Sequence, residues 1–508
     1  MALSRRHFFY GSLLAGAIPK GGFSSTPSLK AAGFKSPNEK LNFASIGAGG
    51  QAASNIGAAA PTENIVALCD VDDRRAAGMY TRFPNAPKYK DFRKMLDKED
   101  KNVDAVIVAI PDHMHATAAM WAMERGKHVY VQKPLVRTVW EARQLKEAAV
   151  KYKVATQMGN QGYSNEGTRQ CAEIIWNGDI GGVTEVHAWS DRPMWPQGLT
   201  EIPKEDSVPA TLDWDLWLGV AEKRPFTANG KTDPDRNGGF FYQPFNWRGF
   251  YDFGCGALGD MACHILGAPN MALHLSKRKV LGVECIKKEG ASPFMFPKSS
   301  VIRFDFAAYG NMPALKVFWY DGMKETPKIP GVPEGEWLGD PPSAGGAGGR
   351  GGGARVAGND FRSPGRVFNY DDFVALKAST TPLRFPQPDG SLFVGDKGML
   401  TTGTYGDVTR LLPIEKMKDY RMPAPLLTRS PGHMRDFIRA CKGGDPACSN
   451  FDVAAPFVEW MLLGVIALRN EGKLEYDPDK MRFTNNNDAN KYLRPMLRKG
   501  WEFHTIKS

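Results

Sequence analysis

The chain is poor in cysteine: seven in 508 residues, at 69, 171, 255, 263, 285, 441 and 448, with no Cys-x-x-Cys and one left over from any pairing. A disulfide scaffold and a cysteine-rich zinc site are therefore not expected. His-Glu-x-x-His is also absent, and with it the helical zinc-hydrolase signature. Long apolar runs are missing. The stretch Phe8 to Ile18 is too short for a bilayer that needs about 20 residues, so no stable span is expected after processing. Dense basic clusters are missing too. Residues 1–30 carry Arg5, Arg6, Lys20 and Lys30 and no acid, so the formal charge of +10 becomes 10 − 4 = +6 for the remainder, spread without repeated aromatic-basic spacing. Nucleic acid is not the expected partner.

What is present begins with a twin-arginine pair, Arg5-Arg6 in Ser4-Arg5-Arg6-His7-Phe8-Phe9, followed by the apolar stretch and by Ala15-Gly16-Ala17, which has the small-x-small form of a cleavage site. Residues 1–37 read as an export signal and linker of the route that carries folded proteins, which predicts a periplasmic location.

With 42% hydrophobic residues, the chain is large enough for more than one domain. Residues 38–160 alternate short β-rich runs, Leu41–Gly47, Asn64–Asp70, Val103–Ile110, His128–Gln132 and Lys153–Met158, with helical stretches such as Met114–Arg125 and Val139–Val150. That alternation predicts a doubly wound parallel sheet with ligands at the carboxyl ends of its strands. Residues 161–480 change rhythm. A helix over Glu166–Asn177 leads into β-like runs Val183–Ser190, Val280–Lys287, Ser300–Ala307, Ala314–Tyr320 and Gly398–Thr402 without regular intervening helices. They predict an α+β domain with a large, mostly antiparallel open sheet, an exposed face that favours a homo-oligomer, and a closing helix over Ala454–Asn470. The glycine-rich run within 330–360 reads as a flexible insertion, and 481–508 as a tail.

Chemistry enters at Gly47-Ala48-Gly49-Gly50-Gln51-Ala52, where a predicted strand ends and a helix begins. Gly47 makes the tight turn, Gly49 lets a pyrophosphate approach the backbone, and Ala52 permits close packing; the amides around Gly50 and Gln51 and the helix dipole hold phosphate. Asp70 ends the next strand 21 residues after Gly49, close to the interval of about 20 at which an acid accepts the ribose hydroxyls of a Rossmann domain. An acid there favours NAD, while neighbouring Arg74 and Arg75 keep NADP open. Three further segments stand out: Ala109-Ile110-Pro111-Asp112-His113-Met114-His115, Tyr130-Val131-Gln132-Lys133-Pro134, and Asp260-Met-Ala-Cys-His264, which on a helix would put both side chains on one face. His113 and His115, with Asp260 and His264, raise a metal reading, but zinc spacing is lacking and no metal is expected.

These segments resemble the glucose-fructose oxidoreductase, inositol dehydrogenase and rhizopine-catabolism (Gfo/Idh/MocA) family over most of residues 40–480. The resemblance implies that Lys133 is the catalytic lysine of the Lys-Pro motif, that Asp260 and His264 are its Asp-x-x-x-His, and that Pro111, His115 and Lys133 border the cofactor. Gln132 stands where the family usually has glutamate, which removes a charge near the nicotinamide. The residues also carry the chemistry by themselves. A histidine titrating near neutrality suits removal of a hydroxyl proton, the role read for His264. Lys133 can stabilise charge on the same oxygen. Asp260 orients the imidazole or meets a second hydroxyl.

The early second domain is crowded with Trp189, Trp195, Trp214, Trp217, Trp247, Phe250 and Tyr251 among Asp191, Arg192, Gln197 and Arg248. Indole faces stack on sugar rings. Trp214 and Trp217 read as core; Trp195, Arg192 and Asn160 are substrate candidates. Three functions follow. The first is an exported NAD(P)-dependent oxidoreductase acting on a sugar, polyol or glycoside with a tightly bound cofactor. The second is a redox-neutral NAD-dependent glycosidase or lyase, and the third a sugar-binding protein without turnover.

Overall fold

The computed structural model describes residues 39–229, 240–323, 326–340, 368–378 and 389–506. The twin-arginine segment and most of the glycine-rich run lie outside the described residues. Strands β1 (Asn42–Ile46), β2 (Asn64–Cys69), β3 (Lys88–Tyr89), β4 (Ala105–Val108), β5 (His128–Gln132) and β6 (Thr156–Gly159) form an all-parallel sheet in the order β3-β2-β1-β4-β5-β6. Helices α1 (Gln51–Ala59), α2 (Asp73–Arg82), α3 (Phe92–Lys98), α4 (His115–Met123) and α5 (Val139–Tyr152) connect them. Every residue of β4 is buried, as a central parallel strand covered on both faces requires.

Local chemistry sets several boundaries. Asp72 caps α2 by accepting from Arg74 N at 3.1 Å. Thr138 and Glu141 form a reciprocal capping box at the start of α5. Strand β6 starts at Thr156 rather than Lys153 because Lys153 is the left-handed C-cap of α5, at φ 55°. The two-residue edge strand β3 was not expected from sequence; it is too short to show a period.

The second sheet contains β7 (Val183–Trp189), β8 (Val280–Glu289), β9 (Ser299–Phe306), β10 (Leu315–Asp321), β11 (Gly390–Gly395), β12 (Met399–Gly403), β13 (Arg410–Leu412), β14 (Lys473–Asp477) and β15 (Arg482–Phe483), in the order β13-β12-β11-β7-β10-β9-β8-β14-β15. Its pairings are antiparallel except β7 with β10. Strand β9 alternates buried and half-buried side chains, the sign of one covered face. Helix α6 (Glu166–Asn177) falls where the sequence places it and ends at Gly178, φ 84°. Helix α8 (Phe451–Ala467) starts three residues ahead of the expected helix.

Sequence order and spatial order part at helix α7 (His433–Cys441). Its Met434, Phe437, Ile438 and Cys441 pack with Leu41, Phe43, Ile56 and Tyr130 of the first sheet. The stretch 161–480 thus supplies a helix to the first domain. The segment after 480 also packs on the body: Phe503 stacks on Trp140 at 5.5 Å, and Ile506 N donates to Gln144 Oε1.

Candidate active site

The glycine turn sits at the carboxyl end of β1. Gly47 has φ 95°, and a Cβ there would overlap the Ala109 carbonyl oxygen, so only glycine serves. Gly50, at φ 55°, is the N-cap of α1, and no side chain caps that helix. Ala52 N donates back to Gly49 O at 3.1 Å, and the other first-turn N–H groups, beside exposed Gln51, can meet an anion. A Cβ on Gly49 would lie 2.6 Å from Arg75 O. The absence of a Cβ here also lets the first turn of α2 pack close. Asp70 Oδ2 accepts from Ala48 N at 2.8 Å and Oδ1 from Asp72 N at 3.0 Å. Burial raises its pKa while these N–H groups oppose the rise. Each carboxylate oxygen keeps a second lone pair, so a ribose hydroxyl still fits. Arg75 Nη2 lies beside Gly50, 3.2 Å from where a Cβ would be.

Pro111 precedes a 3-10 turn, Asp112–Met114. His115 is buried, with Nδ1 2.7 Å from Pro134 O and Nε2 2.7 Å from Ile110 O. Burial lowers its pKa to about 4, so the neutral ring donates to one of the two carbonyls. It braces the loops after β4 and β5, and neither ring nitrogen is left for a ligand. His113 is buried against Trp217 and Phe253, with Nε2 3.2 Å from Trp217 O. Among the described residues no group of three or more His, Cys, Asp or Glu is placed to hold a metal ion, and all seven cysteines are free thiols.

Lys133 and Asp260, far apart in sequence, meet. Lys133 Nζ donates to Asp260 Oδ1 at 2.8 Å and to Asp260 O at 2.6 Å. Arg248 Nε donates to the same Oδ1 at 2.9 Å, and Arg192 Nε lies 3.6 Å from Oδ2. Three cations thus surround one buried carboxylate. Burial alone would raise the pKa of Asp260, but Lys133, Arg248 and Arg192 together hold it well below the ordinary carboxylate range. Asp112, also buried, accepts from Cys255 N at 3.2 Å. Burial pushes it up to about 7 against the pull of Arg248 and Lys133.

The segment carrying Asp260 is not the regular helix that the four-residue spacing suggests. Leu258–Ala262 is a π-helical turn, followed by a short α-turn, Cys263–Ile265. Such turns recur at functional sites. Asp260 faces the cations, whereas the buried His264 ring packs at 4.8 Å against Tyr405, from the loop after β12.

Gln132, at the family's glutamate position, bridges. Its Nε2 donates to Asn55 Oδ1 of α1 at 3.0 Å, and Lys133 N donates to its Oε1 at 3.3 Å. Across from it, Asn160 is fully buried; its Oδ1 accepts from Ser449 Oγ, and its Nδ2 has no hydrogen-bond partner. A buried, unpaired amide donor costs about 1–3 kcal/mol, and an acceptor on a bound molecule would satisfy it. Trp195 is 4% exposed, with its indole N–H committed to Gln197 Oε1 at 2.9 Å. It backs the Arg248 guanidinium, whose faces lie over Phe245 and Trp247 at 4.2 Å each. Trp214 and Trp217 stack at 4.7 Å within an aromatic core. Sequence reasoning took Arg248 only as a polar neighbour of the tryptophans and passed over Tyr405 altogether. No local spacing links either to Asp260 or His264.

The model of the GFO/IDH/MocA oxidoreductase family's NAD-binding Rossmann fold matches residues 41–160, and that of its C-terminal alpha/beta domain matches residues 178–286. Inositol 2-dehydrogenase of Salmonella typhimurium is 31% identical over 125 residues, 24% of this chain and 37% of that protein. Levoglucosan dehydrogenase of Pseudarthrobacter phenanthrenivorans is 27% identical over 143 residues, 27% of this chain and 36% of that protein. The match thus spans little more than a third of the length of these relatives. The WlbA dehydrogenase of Bordetella pertussis, crystallised with NADH and UDP-GlcNAcA, shares the fold, with a TM-score of 0.53, 14% identity, and coverage of 86% of this chain and 99% of that one. Residues 41–160 are thus an NAD-binding Rossmann domain of the Gfo/Idh/MocA oxidoreductase type, and residues 178–286 match that family's C-terminal domain.

Proposed function

We propose that the protein transfers hydride between NAD and a hydroxyl or ketone carbon of a sugar, polyol or glycoside. The observation that carries this reading is the Lys133–Asp260 ion pair, at 2.8 Å, at the end of the first sheet's β5, with His264 on the short α-turn that follows the turn of Asp260. Bound NAD would supply the hydride acceptor. Gly47, Gly50 and the open N-terminus of α1 would hold its phosphates, Asp70 its ribose, and Asn160 Nδ2 an acceptor oxygen. Lys133, held by Asp260, donates to the reacting oxygen and stabilises the charge that forms as the hydroxyl proton leaves. His264 takes that proton. Asp70 favours NAD, and Arg75 beside Gly50 leaves NADP as an outcome of the same measurement.

A redox-neutral cycle is the second reading, favoured by one observation. Asp389 carries Asp191 N on its Oδ1 at 2.8 Å, and burial, with Asp191 adding to the rise, pushes it up to about 7. Asp191 in turn lies 3.9 Å from Arg192. An acid that holds its proton near neutrality can protonate a departing aglycone. In this cycle a ring hydroxyl is oxidised, the adjacent C–H loses a proton, the aglycone leaves with a proton, water adds to the double bond, and the hydride returns. We further propose export through Arg5-Arg6, on the sequence signal alone.

Purified protein, denatured without added nucleotide, should release NAD. With substrate, accumulation of NADH supports the oxidoreductase, and aglycone release without net NADH supports the cycle. If Lys133→Ala leaves activity unchanged on a substrate the protein turns over, the catalytic proposal fails.

A further inference from the structure

Segment 209–221 crosses from the second domain over the carboxyl end of the first sheet. At one end it pairs with the loop after β2. Leu212 and Asp72 form an antiparallel bridge, Asp73 N donates to Thr211 O at 3.1 Å, and Asp213 N donates to Val71 O at 2.9 Å. Lys90 Nζ donates to the same Thr211 carbonyl at 2.8 Å. At its other end it grips the loop after β4. His113 Nε2 lies 3.2 Å from Trp217 O, Val220 N donates to Met114 Sδ at 3.3 Å, and Gly219, at φ 51°, packs so closely on Met114 that any Cβ would collide with its sulfur. Between these ends Leu212, Trp217 and Leu218 belong to an aromatic-rich core against which Val71 packs.

In the sheet, β2 and β4 flank β1, so the loops after them lie on either side of the Gly47 turn. A dinucleotide laid across the strand ends, with its pyrophosphate on that turn, has the Asp70 loop along its adenosine half. The segment joins both loops from outside. Its hold at the Asp70 end combines backbone hydrogen bonds with buried apolar contact, so parting it exposes Leu212 and breaks the bridge together.

We propose that segment 209–221 is the outer wall of the adenosine side of the dinucleotide site, pinned to both loops, so that the cofactor stays bound from one turnover to the next. The inference rests on the assignment of the dinucleotide to the Gly47–Asp70 site. Together with the export proposed above, it would account for how the protein keeps a cofactor that its surroundings do not replenish.

The test is a reversible lock. Opposed residues of an antiparallel bridge have Cα atoms about 4.5–5.5 Å apart, within disulfide reach, so Asp72→Cys/Leu212→Cys can be closed by oxidation and reopened by thiol. NADH is bound to the full chain and chased with excess NAD, and the loss of bound-NADH fluorescence gives the release rate, with Asp72→Cys alone controlling for the native thiols. Oxidation should slow release at least about tenfold, a factor equivalent to about 1.4 kcal/mol, and thiol should restore it. Leu212→Ala, which loosens the wall without a new thiol, should release faster than the parent. Equal rates in the oxidised and reduced forms, an unchanged rate in Leu212→Ala, or complete exchange by the parent chain within seconds would overturn the wall. Failure of the parent chain to bind NADH at all would instead sink the dinucleotide assignment beneath it.

Discussion

Asp260 is the one carboxylate that Lys133, Arg248 and Arg192 all face, and removing it should cost more than removing any one of them. Lys133, Arg248 and Arg192 are 14, 19 and 23% exposed, and the carboxylate 7%, so solvent screens them weakly. Taking away the partner of a buried charge costs about 3–5 kcal/mol. Asp260→Asn keeps the shape but leaves three cations facing one another, and a loss near the lower end of that range, about 3 kcal/mol, is expected. Lys133→Met leaves Asp260 two guanidinium partners and should cost less, about 1.5–3 kcal/mol, as expected for loss of hydrogen bonds to a charged group. Urea unfolding followed by tryptophan emission reads both. The double variant should be more stable than the sum of the single losses implies, because deleting Lys133 removes one of the stranded charges. Because the folded-state pKa of Asp260 lies below its unfolded value, its contribution is present above about pH 4 and is lost as pH falls through the folded value. The gap between Asp260→Asn and the parent should therefore close only in acid. If Lys133→Met or Arg248→Met destabilises more than Asp260→Asn, the reading of Asp260 as the carboxylate that these three cations share is wrong.

Asp112 gives the opposite pH dependence. Its pKa is raised from the ordinary aspartate value to about 7, so its contribution is full below about pH 4 and declines as pH rises toward 7, by about 4 kcal/mol. In Asp112→Asn, stability measured by urea titration across that window should lose this component. Gly47→Ala must strain a left-handed backbone and displace the Ala109 carbonyl; NADH affinity by fluorescence titration should fall at least about a hundredfold, or about 2.7 kcal/mol. Arg5→Lys/Arg6→Lys should leave the protein in the cytoplasmic fraction, and its appearance in the periplasm would refute the export proposal. On the outer face of the second sheet, His187, Phe318 and Tyr320 stack in a row, with His187 and Phe318 at 4.9 Å. Light scattering should find an oligomer that Phe318→Lys weakens, if this face is the contact.

The sequence by itself determined what is built locally. Strand β5 and helix α6 fall on the residues expected, because an apolar run or a helical period bounded by caps and glycine is complete within its own segment. The glycine turn and Asp70 were legible for the same reason, since one strand, one turn and one acid carry their whole signal. Edge strands β3 and β13 are too short to show a period, and α7 reads as a helix of the second domain until its apolar face is seen on the first. The candidate cluster divides in the same way. Lys133, Asp260 and His264 could be nominated from motifs. Only the tertiary structure decided that Asp260 serves three cations, that His115 is a brace, that Trp195 stands behind Arg248, and that segment 209–221 closes over the Asp70 loop. Each depends on residues far apart in the chain, and their contact follows from how two sheets pack, which no local spacing encodes.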